Sequence, residues 1–99
     1  MSDPTRSPAE AAAPALDFLT LVLSIREGAF ELLGVTPDGA AVVDPANLPA
    51  VRYQIDLLTL LKAKTAGNLT DEETKLIDAV IYELRLAYVE AAQGRGGRP

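Results

Sequence analysis

The stretch Lys64-Thr65-Ala66-Gly67-Asn68-Leu69-Thr70-Asp71-Glu72-Glu73 decides the fold, because it writes a helix stop and a helix start within a few residues of each other. Gly67 tolerates the left-handed backbone that closes a helix C-terminus, and Lys62 and Lys64 sit where the helix dipole favours cations. Thr70 and Glu73 have the spacing of a capping box, in which the hydroxyl accepts from the N3 amide while the glutamate reaches back to the cap amide. Asp71 and Glu72 add negative charge to the same first turn. A connection this short turns the second helix back antiparallel along the first. A helical hairpin is therefore the predicted nucleus of the fold.

Upstream of the hairpin turn, Asn47 is placed to cap a helix that carries Pro49 in its first turn, where a missing N–H costs nothing. That helix is predicted to run to Ala66. Downstream, the next helix continues to Ala92, beyond which Gly94-Arg95-Gly96-Gly97-Arg98-Pro99 cannot hold regular structure. A further helix, the first in the chain, is predicted from Ala15 to Leu33 and stops at Gly34. Thr36-Pro37-Asp38-Gly39 marks a turn in the loop from 35 to 46. The expected organisation is a flexible N-terminal segment over residues 1–15, a helical domain over 16–92 and a flexible Gly/Arg tail over 93–99. The fold class is all-α: three helices, the second and third forming the antiparallel hairpin, with the bundle expected to be completed by oligomerisation.

That last expectation comes from the helix faces. On the third helix Leu76, Ile77, Val80, Ile81, Leu84, Ala87 and Tyr88 keep the i, i+3, i+4 rhythm of a core stripe. At 100° per residue, Tyr82, Leu86 and Val89 fall on nearly the opposite side, with Arg85 beside them. On the second helix Val51, Ile55 and Leu58 face one way, while Tyr53, Leu57, Leu60 and Leu61 carry the apolar arc past half the circumference. Only Arg52, Asp56, Thr59 and Ala63 form a clean outward stripe. The first helix confines its polar residues to Asp17, Thr20, Ser24, Glu27 and Glu31, and is apolar almost everywhere else. Leaving five or six extra aliphatic side chains in water forfeits roughly 1.5 to 3 kcal/mol each relative to burial. Burial against a second copy recovers on the order of 10 kcal/mol before association entropy. A homo-oligomer is expected, most simply a two-fold dimer in which the first helix packs between hairpins.

Composition removes most catalytic constellations. The 99 residues contain no Cys and no His, so a disulfide framework, a thiolate nucleophile and the commonest general base and metal ligand are all missing. The net charge of −5 works against nucleic acid and anionic membrane at long range. Arg26 and Glu27 interrupt the most apolar segment, Phe18 to Leu33, which falls short of a membrane-spanning stretch. Residues 1–8 lack the basic and apolar regions of a signal peptide, which makes a cytoplasmic location the expectation.

The remaining candidates have structural explanations. Asp71, Glu72 and Glu73 are accounted for by capping and dipole, Arg52 with Asp56 by an i, i+4 surface ion pair, and the tyrosines by amphipathic packing. Ser24 has no neighbouring base to activate it. Arg26 stands out, since a charge inside an apolar arc needs an acid across an interface or a route out of it. No phosphate-binding loop or dinucleotide fingerprint occurs. No catalytic, cofactor-binding or metal-ligating residue is assigned, and no cofactor or small-molecule substrate is implied.

Four segments together carry a family resemblance: Phe18-Leu19-Thr20-Leu21-Val22-Leu23-Ser24-Ile25, Gln54-Ile55-Asp56-Leu57-Leu58, the hairpin stretch Lys64 to Glu73, and Tyr82-Glu83-Leu84-Arg85-Leu86-Ala87-Tyr88-Val89. The chain resembles, over Leu16 to Glu90, a family of small bacterial proteins known as domain of unknown function 1844. The most specific part is Lys-Thr-x-Gly-Asn-Leu-Thr with the downstream Leu-Arg-x-x-Tyr-Val. The resemblance implies a bacterial cytoplasmic protein and brings no activity, cofactor or catalytic residue to carry over.

The expected function is that of a non-enzymatic, self-associating helical protein, an adaptor or accessory subunit. Its interface is assigned to Tyr53, Leu57, Leu60, Tyr82, Arg85, Leu86, Val89 and Arg26. Two alternatives differ in class. A nucleic-acid accessory protein would use the Gly/Arg tail and bind in a salt-sensitive way. A carboxylate enzyme using Arg26 would need a concave pocket with convergent acids.

Overall fold

The computed structural model describes residues 17–35 and 43–94. Three α-helices follow one another: α1 over Phe18–Leu32, α2 over Leu48–Lys64 and α3 over Asp71–Ala92, with a 3-10 turn over Pro45–Asn47 leading into α2. No strand occurs among the described residues, so the all-α class stands. The expected loop turn at Thr36-Pro37-Asp38-Gly39, the N-terminal segment and residues 95–99 of the tail lie outside the described residues.

Local chemistry sets each helix end. Thr70 and Glu73 form both halves of the capping box: the Glu73 amide donates to Thr70 Oγ1 at 3.1 Å and the Thr70 amide donates to Glu73 Oε1 at 2.8 Å. At the other side of the turn, α2 stops at Lys64 and not at Ala66. Thr65 closes it, its hydroxyl donating to the Leu61 carbonyl at 2.7 Å, and Gly67 with φ of 85° makes the left-handed step two residues later. α1 ends in a Schellman motif around Gly34, φ 72°, with the Val35 amide bonded to the Phe30 carbonyl and the Gly34 amide to the Glu31 carbonyl.

Two caps differ from expectation. α1 begins at Phe18, not Ala15, because Asp17 accepts from the Thr20 amide at 2.8 Å and so serves as N-cap; the polar stripe loses one member to the helix end. Asn47 is the N-cap residue of α2 but makes no capping bond. Its side chain donates instead to the Leu32 carbonyl at 3.2 Å, one of the acceptors that the end of α1 leaves open. Asp44 meanwhile caps the 3-10 turn through the Ala46 amide at 3.0 Å.

α2 and α3 form the expected antiparallel hairpin. Lys62 pairs with Asp78, Arg85 reaches Thr59, and Ile55 lies beside Tyr88, so positions rise on one helix as they fall on the other. α1 then packs against both members of the hairpin. The core takes Val22, Ala29 and Leu33 from α1 and its C-cap, Val51, Ile55 and Leu58 from α2, and Ile77, Val80, Ile81, Leu84 and Ala91 from α3. Leu76, Ala87 and Tyr88 border it, half-buried, as the stripe on α3 requires. The three helices thus share one core within the chain. Phe18, Ile25, Phe30 and Leu32 of α1 also pack on it, while Leu21 and Leu23 stay partly exposed.

Candidate functional site

What remains outside the core is a set of apolar side chains on the far sides of the helices. On α3, a run of 22 residues, the positions opposite Ile77 and Leu84 are Ala79, Tyr82, Leu86 and Val89. Tyr82 keeps 71% of its surface exposed, and Leu86 and Val89 keep 49% each. On α2, Tyr53 at 65% and Leu60 at 54% stand opposite Val51 and Leu58, with Leu57 half-buried next to them. Leu21 and Leu23 of α1 are also partly open. The residues assigned from sequence therefore fall into two separate faces: Tyr53, Leu57 and Leu60 on α2, and Tyr82, Arg85, Leu86 and Val89 on α3.

Shallow grooves flank the α3 ridge. One, of about 480 Å³, lies toward α1 and is walled by Phe30, Ala79, Tyr82, Leu86 and Ala87, with Glu83 and Glu90 along its edge. Two others lie toward α2: a depression of about 300 Å³ holding Thr59, Lys62, Asp78 and Tyr82, and one of about 360 Å³ between Arg52, Asp56, Tyr88 and Val89. Arg85 stands at the border of both. These openings are surface troughs between ridges, the shape that a helix or another ridge fills, and each is lined by parts of two helices.

Arg26 finds an acid inside its own chain. Its guanidinium grips Glu83 of α3 from both nitrogens, Nε to Oε1 at 2.7 Å and Nη2 to Oε2 at 2.8 Å, and lies 4.7 Å from the Phe30 ring centroid. The planar fork matches a carboxylate in a way that a lysine cannot. The hydrogen bonds from Arg26 hold the Glu83 carboxyl below its ordinary range, and the same bonds raise the guanidinium. Sequence alone does not reveal the pair, because its members are 57 positions apart. Asp17 is likewise held low, by the Thr20 amide it accepts from.

Other candidates resolve into structural roles. Ser24 donates its hydroxyl to the Thr20 carbonyl at 2.9 Å, a bond back into its own helix. Arg52 and Asp56 do not form the expected ion pair; among the described residues the pairs are Arg26–Glu83 and Lys62–Asp78. No group of His, Cys, Asp and Glu among the described residues has the spacing to hold a metal ion. No described helix is long and apolar enough to cross a membrane.

The family model whose description is "Domain of unknown function (DUF1844)" matches residues 15–90, which spans all three helices and both faces described above. No curated protein and no solved structure matches the chain.

Proposed function

From the premise that the chain belongs to the DUF1844 family, we propose that it works by association: a non-catalytic helical module, adaptor or accessory subunit, that binds a second copy of itself in the bacterial cytoplasm. The observation that carries this reading is the double exposure on α3 and α2. Tyr82, Leu86 and Val89 on one face, and Tyr53 and Leu60 on the other, remain open although the core is complete without them. Tyrosine and arginine are among the residue types that carry most of the binding energy at interface centres, and on α3 Tyr82 and Arg85 stand beside Leu86 and Val89, whose apolar surface can exclude water around them. Two of the acids that border the ridge, Glu83 and Asp78, already hold a cation of their own chain, while Arg85 and Glu90 keep their charges open to a partner.

Size-exclusion chromatography with light scattering tests the reading directly. A mass of twice the chain at micromolar concentration supports it, and a single-chain mass across that range overturns it. The absence of a catalytic role is tested separately, by identifying what co-purifies with the native protein: a stoichiometric partner fits an adaptor, whereas a bound metabolite that is turned over does not.

A further inference from the structure

We propose that two copies of the chain associate through α3 alone, side by side and parallel, along a seam of Ala79, Tyr82, Leu86 and Val89 bordered by reciprocal Arg85–Glu90 pairs between the copies. The inference rests on the self-association reading and gives it a surface, a direction and a stoichiometry.

The seam is visible in the spacing. Ala79, Tyr82, Leu86 and Val89 follow one another at intervals of three, four and three residues, the alternation of a and d positions in a heptad. All four are exposed. The core-facing residues Ile77, Val80, Ile81 and Leu84 occupy the b, c and f positions of the same frame, so α3 carries two independent faces. The inner one is used. Lys75 and Gln93 take the next seam positions at either end and close it with polar side chains.

Direction follows from charge. In a parallel pair each g residue meets the e residue five positions further along the other helix, which sets Arg85 against Glu90 twice by symmetry. Glu90 forms no ion pair with a described residue, and Arg85 is tied only by a 3.4 Å contact to Thr59. The same geometry brings Asp78 near Glu83 of the second copy. Each of those acids already holds a cation of its own chain, Lys62 and Arg26, so the repulsion is compensated. An antiparallel pair that buries the same four seam residues crosses near position 84. It sets Arg85 beside Arg85, like charge against like, and leaves Glu90 opposite Leu76 without a cation; the meeting of Glu83 with Glu83 is compensated by Arg26, as in the parallel pair.

Stoichiometry follows from what is already occupied. Trimeric and tetrameric coils bury the e and g flanks as well as the seam. On α3 part of each flank is engaged within the chain, Glu83 by α1 and Asp78 by α2, which leaves Arg85 and Glu90 for a single neighbouring helix. The narrow strip left open suits two helices.

Because the chain contains no cysteine, a single introduced thiol reads the geometry without interference. Leu86→Cys places two thiols face to face across a parallel seam, and oxidation with copper phenanthroline is expected to give a covalent dimer on a non-reducing gel. Leu60→Cys on α2 is expected to give none. Arg85→Glu and Glu90→Arg should each weaken the dimer by roughly tenfold, and the double variant should recover most of that loss. Circular dichroism of the same variants checks that both remain helical, as exposed positions should. A dimer that cross-links through Leu60→Cys and not Leu86→Cys overturns this geometry and leaves self-association standing. So does one that cross-links only when Tyr82→Cys is mixed with Leu86→Cys, the antiparallel signature. A mass of three or four chains overturns the stoichiometry. A monomer throughout overturns this inference and the reading beneath it together.

Discussion

Arg26 shows how one residue can read as an anomaly in the sequence and as a fixture in the fold. In the helix wheel it breaks an apolar arc; in three dimensions it ties α1 to α3 through both oxygens of Glu83 and rests on Phe30. Both side chains keep about a third or more of their surface in solvent, 36% and 43%, so water screens the pair and its worth is modest. A double-mutant cycle with Arg26→Ala and Glu83→Ala should return a coupling of about 0.5 to 1 kcal/mol, shrinking as salt is added; a coupling near zero with Arg26→Ala still destabilising would show that packing on Phe30, and not the pair, is what matters. The pH dependence has a fixed sign. Glu83 is held below its ordinary value of 4.5 in the fold, so the unfolded chain takes up the proton first as pH falls. The stability it contributes is whole above that ordinary value and is lost as pH drops through the lower folded one. Urea unfolding between about pH 6 and about pH 3 should therefore show a decline that is shallower in Glu83→Gln, with Asp17 contributing a remainder of the same sign.

Helix ends and helix interiors ask opposite things of glycine, and α1 and the α2–α3 turn contain one case of each. Gly67 has φ of 85° with open space where a Cβ would stand, so any cost of Gly67→Ala comes from backbone conformation alone. Equilibrium unfolding should find Gly67→Ala destabilised by about 1 kcal/mol and Gly67→Asn by less, because asparagine enters the left-handed region more readily. Gly28 lies inside α1 without a positive φ, and an added methyl group there would again meet nothing within 4 Å. Gly28→Ala should stabilise by about 0.5 to 1 kcal/mol, and a loss would mean that α1 needs the flexibility. Thr70→Ala removes half of the capping box and should cost about 1 kcal/mol. Element ends of this kind are legible in the sequence wherever the chemistry is local: Thr70 with Glu73, and Gly34 after Leu33. They mislead where it is not. Asn47 looks like a cap by type and position, yet its side chain is drawn to a carbonyl 15 positions upstream. Asp17 fits a polar stripe by its spacing, and only its bond to the Thr20 amide makes it the end of the helix.

At the scale of the whole molecule, periodicity separates inner from outer faces correctly. Val51, Ile55 and Leu58 are buried and Tyr53 and Leu60 are not; Ile77 and Leu84 are buried and Tyr82 and Leu86 are not. What periodicity does not supply is the way α1 is covered, since a helix that is apolar on most sides can be wrapped by its own hairpin or by another chain, and only the tertiary arrangement distinguishes the two. With one core shared by the three helices of the chain, core and surface faces should have separable thermodynamics. Leu58→Ala opens a cavity at a fully buried position and should lower stability by about 2 to 5 kcal/mol at every protein concentration. Association adds stability by mass action, so the thermal midpoint of the unaltered protein should rise with its concentration over the micromolar range. Leu86→Ala removes an exposed side chain from α3 and should leave the stability of the dilute protein within about 0.5 kcal/mol of the original while abolishing most of that rise. If Leu86→Ala instead lowered the midpoint equally at all concentrations, the outer face of α3 would be serving its own bundle and not a partner.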